Sequence, residues 1–556
     1  MRAHRKFSKA EQKLLGKGYL SKSCIEELMN QSNMAPNGMA VTPHHLASES
    51  ALAVLRRGGN AIEAMVAAAA TIAVVYPHMN GLGGDSFWLI VPPEGQPLAV
   101  DASGAAGSLA SVEFYAGMNS IPYRGPKAAL TVAGTVSGWQ EALTISEELG
   151  FPPASVGDLL GDAIRYATDG IPVSQSQAAA SSAKLGELQH QPGFADTYLP
   201  GGQVPQAGSR FKQTALASTL NTLADQGLDS FYRGPLAEKI ARGMTELGMP
   251  VTLKDLQQHR ARRRSPLELQ HSTGTLYNLS PPTQGLVSLA IAGITDRLDM
   301  PAADEVGSIH RIVEATKQAF SLRDKYLTDP REMTIDAQSL LNTATLDQLT
   351  ARIDLTKAAP TEGQRNPGDT VWMGVIDSQG MAVSFIQSLY HEFGSGVVIP
   401  ETGLIWQNRG ASFTLKPDQL LTLAPGKQPF HTLNPAAARL NDGRVMVYGS
   451  MGGDGQPQTQ ATLFTRHIQQ NIPLQQAISA PRWLLGRTWG QSSESLKLEG
   501  RFSENVVAAL RDMGHDVEIL DDYSEAVGHA GAIVRHSNGM LEGAYDPRSN
   551  GSAAGF

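Results

Sequence analysis

Apolar positions recur along this chain with two periods, and the change from one to the other marks its elements. Gly38 to Thr42 reads as a short strand. His45 to Arg57 follows with helical spacing through Leu46, Ser50 and Val54, and Gly58-Gly59 supplies the expected C-terminal stop. Asn60 caps a second helix, and Ala61 to Val75 is almost wholly Ala, Val, Ile and Met, which predicts burial on nearly all sides. The run Asn80-Gly81-Leu82-Gly83-Gly84-Asp85 reads as a glycine turn delivering a buried strand through Phe87-Trp88-Leu89-Ile90. Helices are expected to dominate from there to about residue 330, and Ile309 to Arg323 places Ile309, Ile312, Val313, Ala319 and Phe320 on one face.

The pattern changes at residues 355 to 369, where Lys357, Pro360, Thr361, Gly363, Gln364, Asn366, Pro367 and Gly368 make a polar run that reads as an exposed linker. Thr370 to Ile376 and Met381 to Leu389 then form two strands joined by Asp377-Ser378-Gln379-Gly380, a hairpin signal. Further strands are expected at Arg444 to Gly449 and Ala532 to Arg535, and no internal repeat is visible. Strands alternating with long buried helices predict a layered α/β architecture.

Composition narrows the function. With 556 residues, 41% hydrophobic and 18% charged, the chain has the make-up of a large soluble globular protein. A net charge of -8 argues against a nucleic-acid partner, which needs a basic face. The exception is an arm at residues 1 to 36, where Arg2, Arg5, Lys6, Lys9, Lys13, Lys17 and Lys22 outnumber the acids; it reads as solvated charge on a short helix. No apolar signal core follows these charges and no window is long enough to span a bilayer, so a cytoplasmic protein without membrane contact is expected. The lone cysteine, Cys24, excludes internal disulfides.

A threonine that opens a strand after a polar run is by itself unremarkable. Thr370 gains weight from a series of ordered motifs: Arg57-Gly58-Gly59-Asn60-Ala61, Gly81-Leu82-Gly83-Gly84, Phe231-Tyr232-Arg233-Gly234, Glu314-Ala315, Asp329-Pro330, Thr370 to Gly380, Met451-Gly452-Gly453, Ala480-Pro481-Arg482 and Asp546-Pro547-Arg548. From about Gly38 to Phe556 the chain thereby resembles the γ-glutamyltransferase family of N-terminal nucleophile hydrolases. The resemblance implies a four-layer αββα sandwich and self-cleavage between Asp369 and Thr370. The products would be a large subunit, residues 37–369 behind the arm, and a small subunit, residues 370–556, that opens on the catalytic threonine. It implies no metal or organic cofactor. A free α-amine with a pKa of about 7.7 to 8.0 is a base near neutral pH, so one N-terminal residue supplies both hydroxyl and base.

The same resemblance makes Gly452 and Gly453 the oxyanion-hole residues, Ser388 the hydroxyl supporting the nucleophile, and Thr432 a residue of the substrate pocket. Four positions depart from the family. Ser103 stands where other members carry the arginine that grips a glutamyl carboxylate, and Ser412 where an aspartate holds the α-ammonium. Tyr390 and Arg409 replace an asparagine and a glutamine. With both ionic partners of the glutamyl group gone, γ-glutamyl transfer should be poor; Arg409 is the candidate contact for a different carboxylate, and Tyr390 and His391, beside the same pocket strand, are further candidate substrate contacts. The short segment Thr414 to Pro429 suggests an open or differently closed site.

Gln387-Ser388-Leu389-Tyr390, Gln407-Asn408-Arg409-Gly410, Met451 to Gln460 and Arg487-Thr488-Trp489-Gly490 are similar to the oxamate amidohydrolase branch, which acts in purine-nitrogen breakdown. That implies hydrolysis of a small carboxylate-bearing amide, oxamate, to oxalate and ammonia. A glutathione hydrolase or γ-glutamyltransferase with a remodelled pocket, a related acylase, and an uncleaved binding protein are the alternatives. A metalloenzyme is disfavoured, because the 14 histidines show no spaced ligand cluster.

Overall fold

The computed structural model describes residues 31–360, 369–487 and 493–556. Most of the basic arm with Cys24, the middle of the expected linker at 361–368, and Thr488-Trp489-Gly490 lie outside the described residues.

The alanine-rich segment folds as a helix over Ala61–Val75 with every residue buried. Asn60 caps it through the amides of Ile62 and Glu63, and Glu63 returns a bond to the Asn60 amide, a reciprocal cap that stabilises a helix end by about 1 kcal/mol. The Ala61 amide, left free by helix geometry, donates to Asp377 Oδ2 in the turn of the Thr370 hairpin. The central helix is thus tied to the end of that hairpin remote from Thr370.

Two seven-stranded sheets form the middle of the molecule. The first runs, in spatial order, Ser552–Gly555, Met39–Thr42, Asp369–Ile376, Ala382–Tyr390, Asp85–Val91, Leu98–Ala102, Arg262–Arg264. The second runs Asn33–Ala35, Leu541–Tyr545, Ala530–Arg535, Val445–Ser450, Ala436–Leu440, Gly274–Asn278, Leu267–His271. Each sheet contains strands from both sides of Thr370. Between the sheets Phe87, Leu89, Trp372 and Ile386 meet Tyr277, Ala437, Val447 and Ile533. The Trp372 indole lies against Gly449 and Gly531, where a Cβ would come within 2.2 Å and 2.4 Å of the ring. The helices His45–Arg56, Ala61–Val75 and Thr135–Glu148 cover the outer face of the first sheet, and Gly285–Thr295, Glu305–Tyr326 and Gly455–Phe464 that of the second. The result is the four-layer αββα sandwich.

The stretch to residue 330 is less helical than expected. Leu267–His271 and Gly274–Asn278 form a hairpin within it and become an edge of the second sheet. The expected strands at Gly38, Thr370, Met381, Arg444 and Ala532 shift at their ends by one or two residues.

Candidate active site

The hairpin Asp369–Ile376/Ala382–Tyr390 is regular from Val371 onward, where Val371 pairs with Gln387. Asp369 instead pairs with Tyr390, so Thr370 stands opposite two residues, Ser388 and Leu389. The extra residue lies on the strand Ala382–Tyr390, a β-bulge facing Thr370 of the kind over-represented beside active sites. Tyr390 absorbs the irregularity with φ of +83°, a costly conformation for an aromatic residue. Thr370, two residues before Trp372, is buried, and its hydroxyl donates to Ser388 Oγ at 3.3 Å. Ser388 Oγ also accepts the Tyr390 amide at 2.8 Å, so one hydroxyl fixes both the threonine and the turn beyond it. Ser388→Ala is expected to lower kcat about 5- to 30-fold through loss of that alignment, with KM little changed. Steady-state rates on fully processed protein check it.

The strand Val445–Ser450 of the second sheet ends beside this point and turns through Met451, Gly452 and Gly453 into the helix Gly455–Phe464. Gly452 has φ of +116° and Gly453 +53°. Gln284 Nε2 donates to the carbonyls of both Thr432 and Gly453, tying the Thr432 segment to the glycine turn. Among the described residues no acceptor takes the amides of Gly452 and Gly453. The Thr432 hydroxyl is buried and has no hydrogen-bond partner among the described residues.

Arg409 is the unusual group. It is 1% exposed, yet among the described residues Nε, Nη1 and Nη2 have no hydrogen-bond partner. Its guanidinium lies 3.9 Å above the centre of the Tyr390 ring. Burial pulls it down to about 10, against the attraction of Tyr390 and Asp85. His391 also packs on the tyrosine, 4.6 Å from its ring centre and 5.0 Å from that of Tyr123. Burial and the nearby cations Arg124, Arg409 and Lys184 keep His391 neutral, at about 3. Ser412 Oγ, one turn past Arg409, has no partner. The structure thus gathers Thr370, Ser388, Tyr390, His391 and Arg409 in one connected group.

Ser103 is engaged elsewhere. Its hydroxyl donates to Asp101 Oδ1 at 2.6 Å and accepts Gln428 Nε2 at 3.0 Å. Gln428 lies near the end of the short segment Thr414 to Pro429, and the Gly426 amide donates to the Ala106 carbonyl, so the end of this segment packs on residues 101–106.

Sequence alone marks Asp85 only as the last residue of a glycine turn. It is fully buried and lies opposite Ser388 in the sheet. Oδ1 accepts the amides of Gly104 and Gly134, and Oδ2 sits 3.3 Å from His431 Nε2 without the alignment of a hydrogen bond. Burial pushes the carboxyl up to about 7, offset in part by the Gly104 amide, Gln407, Arg409 and the Gly134 amide. An unfolded aspartate titrates at about 3.9, so between these values the folded protein holds a proton that the unfolded chain has released. This contribution to stability is therefore present below about pH 4 and is lost as pH rises to about 7. Asp85→Asn keeps an oxygen for both amides and cannot ionise. Its melting temperature should gain on the parent's across that window; a pH-independent difference would contradict the assignment.

The sequence profile of the gamma-glutamyltranspeptidase family matches residues 47–556. The chain belongs to this family. Family members with which it aligns include the oxamate amidohydrolase proenzyme of Klebsiella pneumoniae subsp. pneumoniae, 70% identical over 95% of this chain and 100% of the relative. A glutathione hydrolase-like proenzyme of Bacillus subtilis is 40% identical over the same shares. Among solved structures, the cephalosporin acylase from Bacillus halodurans superposes with a TM-score of 0.86 at 31% identity, covering 95% of this chain and 97% of that one. The family thus fits the two-sheet architecture and the proenzyme character of its relatives. Among the described residues no helix is long and apolar enough to cross a membrane.

Proposed function

We propose that this chain cleaves itself before Thr370 and then hydrolyses a small carboxylate-bearing amide, oxamate, to oxalate and ammonia. The observation that carries the reading is Arg409, a buried guanidinium whose three nitrogens have no hydrogen-bond partner among the described residues, in a chain that lacks the residues by which the family holds the glutamyl charges. The 70% identity to an oxamate amidohydrolase proenzyme over that relative's whole length supports the same substrate.

In the precursor the Thr370 hydroxyl attacks the Asp369 carbonyl. The peptide bond becomes an ester, and water splits it into residues 1–369 and a small subunit with a free Thr370 amine. That amine then takes the hydroxyl proton as Thr370 Oγ1 attacks the amide carbon of oxamate. The Gly452 and Gly453 amides receive the oxyanion, a contact worth roughly 3 kcal/mol per donor in other hydrolases. The ammonium returns the proton to the departing ammonia, and water releases oxalate from the threonine ester. Arg409 holds the substrate carboxylate by two parallel hydrogen bonds, and Tyr390 and His391 shape the wall beside it.

The test compares kcat/KM for oxamate, glutathione and a glutaryl amide on fully processed protein, with ammonia or amine release as readout. Oxamate should lead by at least about 100-fold, the discrimination that a site built for one ionic partner sustains. A preference for glutathione would overturn the substrate and leave the fold standing.

A further inference from the structure

Away from the pocket, the helix Glu305–Tyr326 places His310 and Glu314 one turn apart, and the loop after Glu504–Asp512 brings in His515. One donor atom from each lies within 4.8 Å of the others, and all three residues are buried. His310 Nε2 lies 2.8 Å from the Asp354 carbonyl, which can only accept, so the proton sits on Nε2 and the Nδ1 lone pair faces the cluster. Such an outer hydrogen bond is what orients histidines that ligate metals. His310 Nδ1 faces His515 Nε2 at 2.8 Å. Glu314 accepts Lys317 Nζ on one oxygen and the Ala359 amide on the other, which leaves each oxygen a second lone pair.

We propose that His310, Glu314 and His515 bind one divalent transition-metal ion of the zinc class. Two imidazoles and one carboxylate suit such an ion, and a water would complete a tetrahedral set. Two metal bonds of about 2.0 to 2.1 Å at a tetrahedral angle span roughly 3.3 Å, so the imidazoles need separate by only about half an ångström. On loading, the proton that His515 Nε2 donates to His310 in the metal-free protein moves to Nδ1 of His515. His310 and Glu314 precede Thr370 in the chain and His515 follows it, so the ion would clamp the two products of self-cleavage together; this last step rests on the processing proposed above.

The experiment dialyses the purified full-length protein against a chelator and titrates Zn²⁺ by calorimetry, alongside metal analysis of untreated protein. One ion per chain with submicromolar affinity is expected, with a rise in melting temperature on loading. His515→Gln and Glu314→Gln, which keep the bulk of the side chains, should each weaken binding at least about 100-fold without abolishing self-cleavage. Thr370→Ala should bind zinc as the parent does, which separates this site from the processing proposal. Absence of stoichiometric binding, or equal binding by both glutamine variants, overturns it and leaves a plain hydrogen bond between His310 and His515.

Discussion

Thr370→Ala is expected to accumulate as one uncut 556-residue chain and to lose at least about 10⁴-fold in ammonia release, as other hydrolases do when their nucleophile is removed. The local geometry explains why the bond before this residue, and not another in the hairpin, would react. Thr370 faces two residues of the opposite strand, at the one break in a register that is regular from Val371 to Ile376. Tyr390, paired with Asp369, is held in a left-handed conformation that costs about 1 to 3 kcal/mol, and Ser388 Oγ binds both the Tyr390 amide and the Thr370 hydroxyl. Opening the bond would release part of that constraint. Thr370→Ser keeps a hydroxyl at the same place and should still split, so that N-terminal sequencing of its small subunit reads serine and then Val371. An alanine variant that splits at the same bond would remove the Thr370 hydroxyl as the agent of cleavage.

The parts of the fold legible in the sequence are those whose pattern is decided locally. Ala61–Val75 is apolar on every side, and its cap and capping box stand in the adjacent residues. The Thr370 hairpin carries its turn between two β-rich runs. By contrast, Leu267–His271 and Gly274–Asn278 turn through Ser272-Thr273, which lacks the usual hairpin residues, and Ala436–Leu440 is mostly alanine, a weak strand former. These strands owe their state to their place in the sheet.

The same division holds for the candidate site. Arg409 and Tyr390 stand out because they depart from a family pattern, and the structure brings the guanidinium onto the ring. Asp85 does not, because its significance comes from burial beside Arg409 and from the amides of Gly104 and Gly134, which are distant in sequence. The His310, Glu314 and His515 group, in which we propose a metal site, comes together only in the folded chain. Only the spacing of His310 and Glu314 on one helix is visible in the sequence, and His515 lies 205 residues beyond His310.

Arg409→Gln is expected to trade activity for stability. In the free protein the guanidinium is desolvated and none of its nitrogens is hydrogen-bonded, an arrangement that folding alone does not favour. The Tyr390 face and the more distant Asp85 charge compensate only in part, since the group is still pulled below its ordinary value. Removing the charge should leave the melting temperature of the unliganded protein equal or higher, the pattern of a residue kept for binding. Oxamate should then reveal what is missing. Losing one partner of a buried charged contact costs about 2 to 5 kcal/mol, so kcat/KM should fall by roughly 30- to several thousand-fold, chiefly through KM. Oxamate would raise the melting temperature of the parent by mass action but not that of the variant. Self-cleavage should proceed normally, because its substrate, the Asp369 carbonyl, is delivered by the chain itself. An unchanged KM would exclude Arg409 as the partner of the carboxylate, and a fall of several degrees in the melting temperature would make it a structural support for Tyr390 instead.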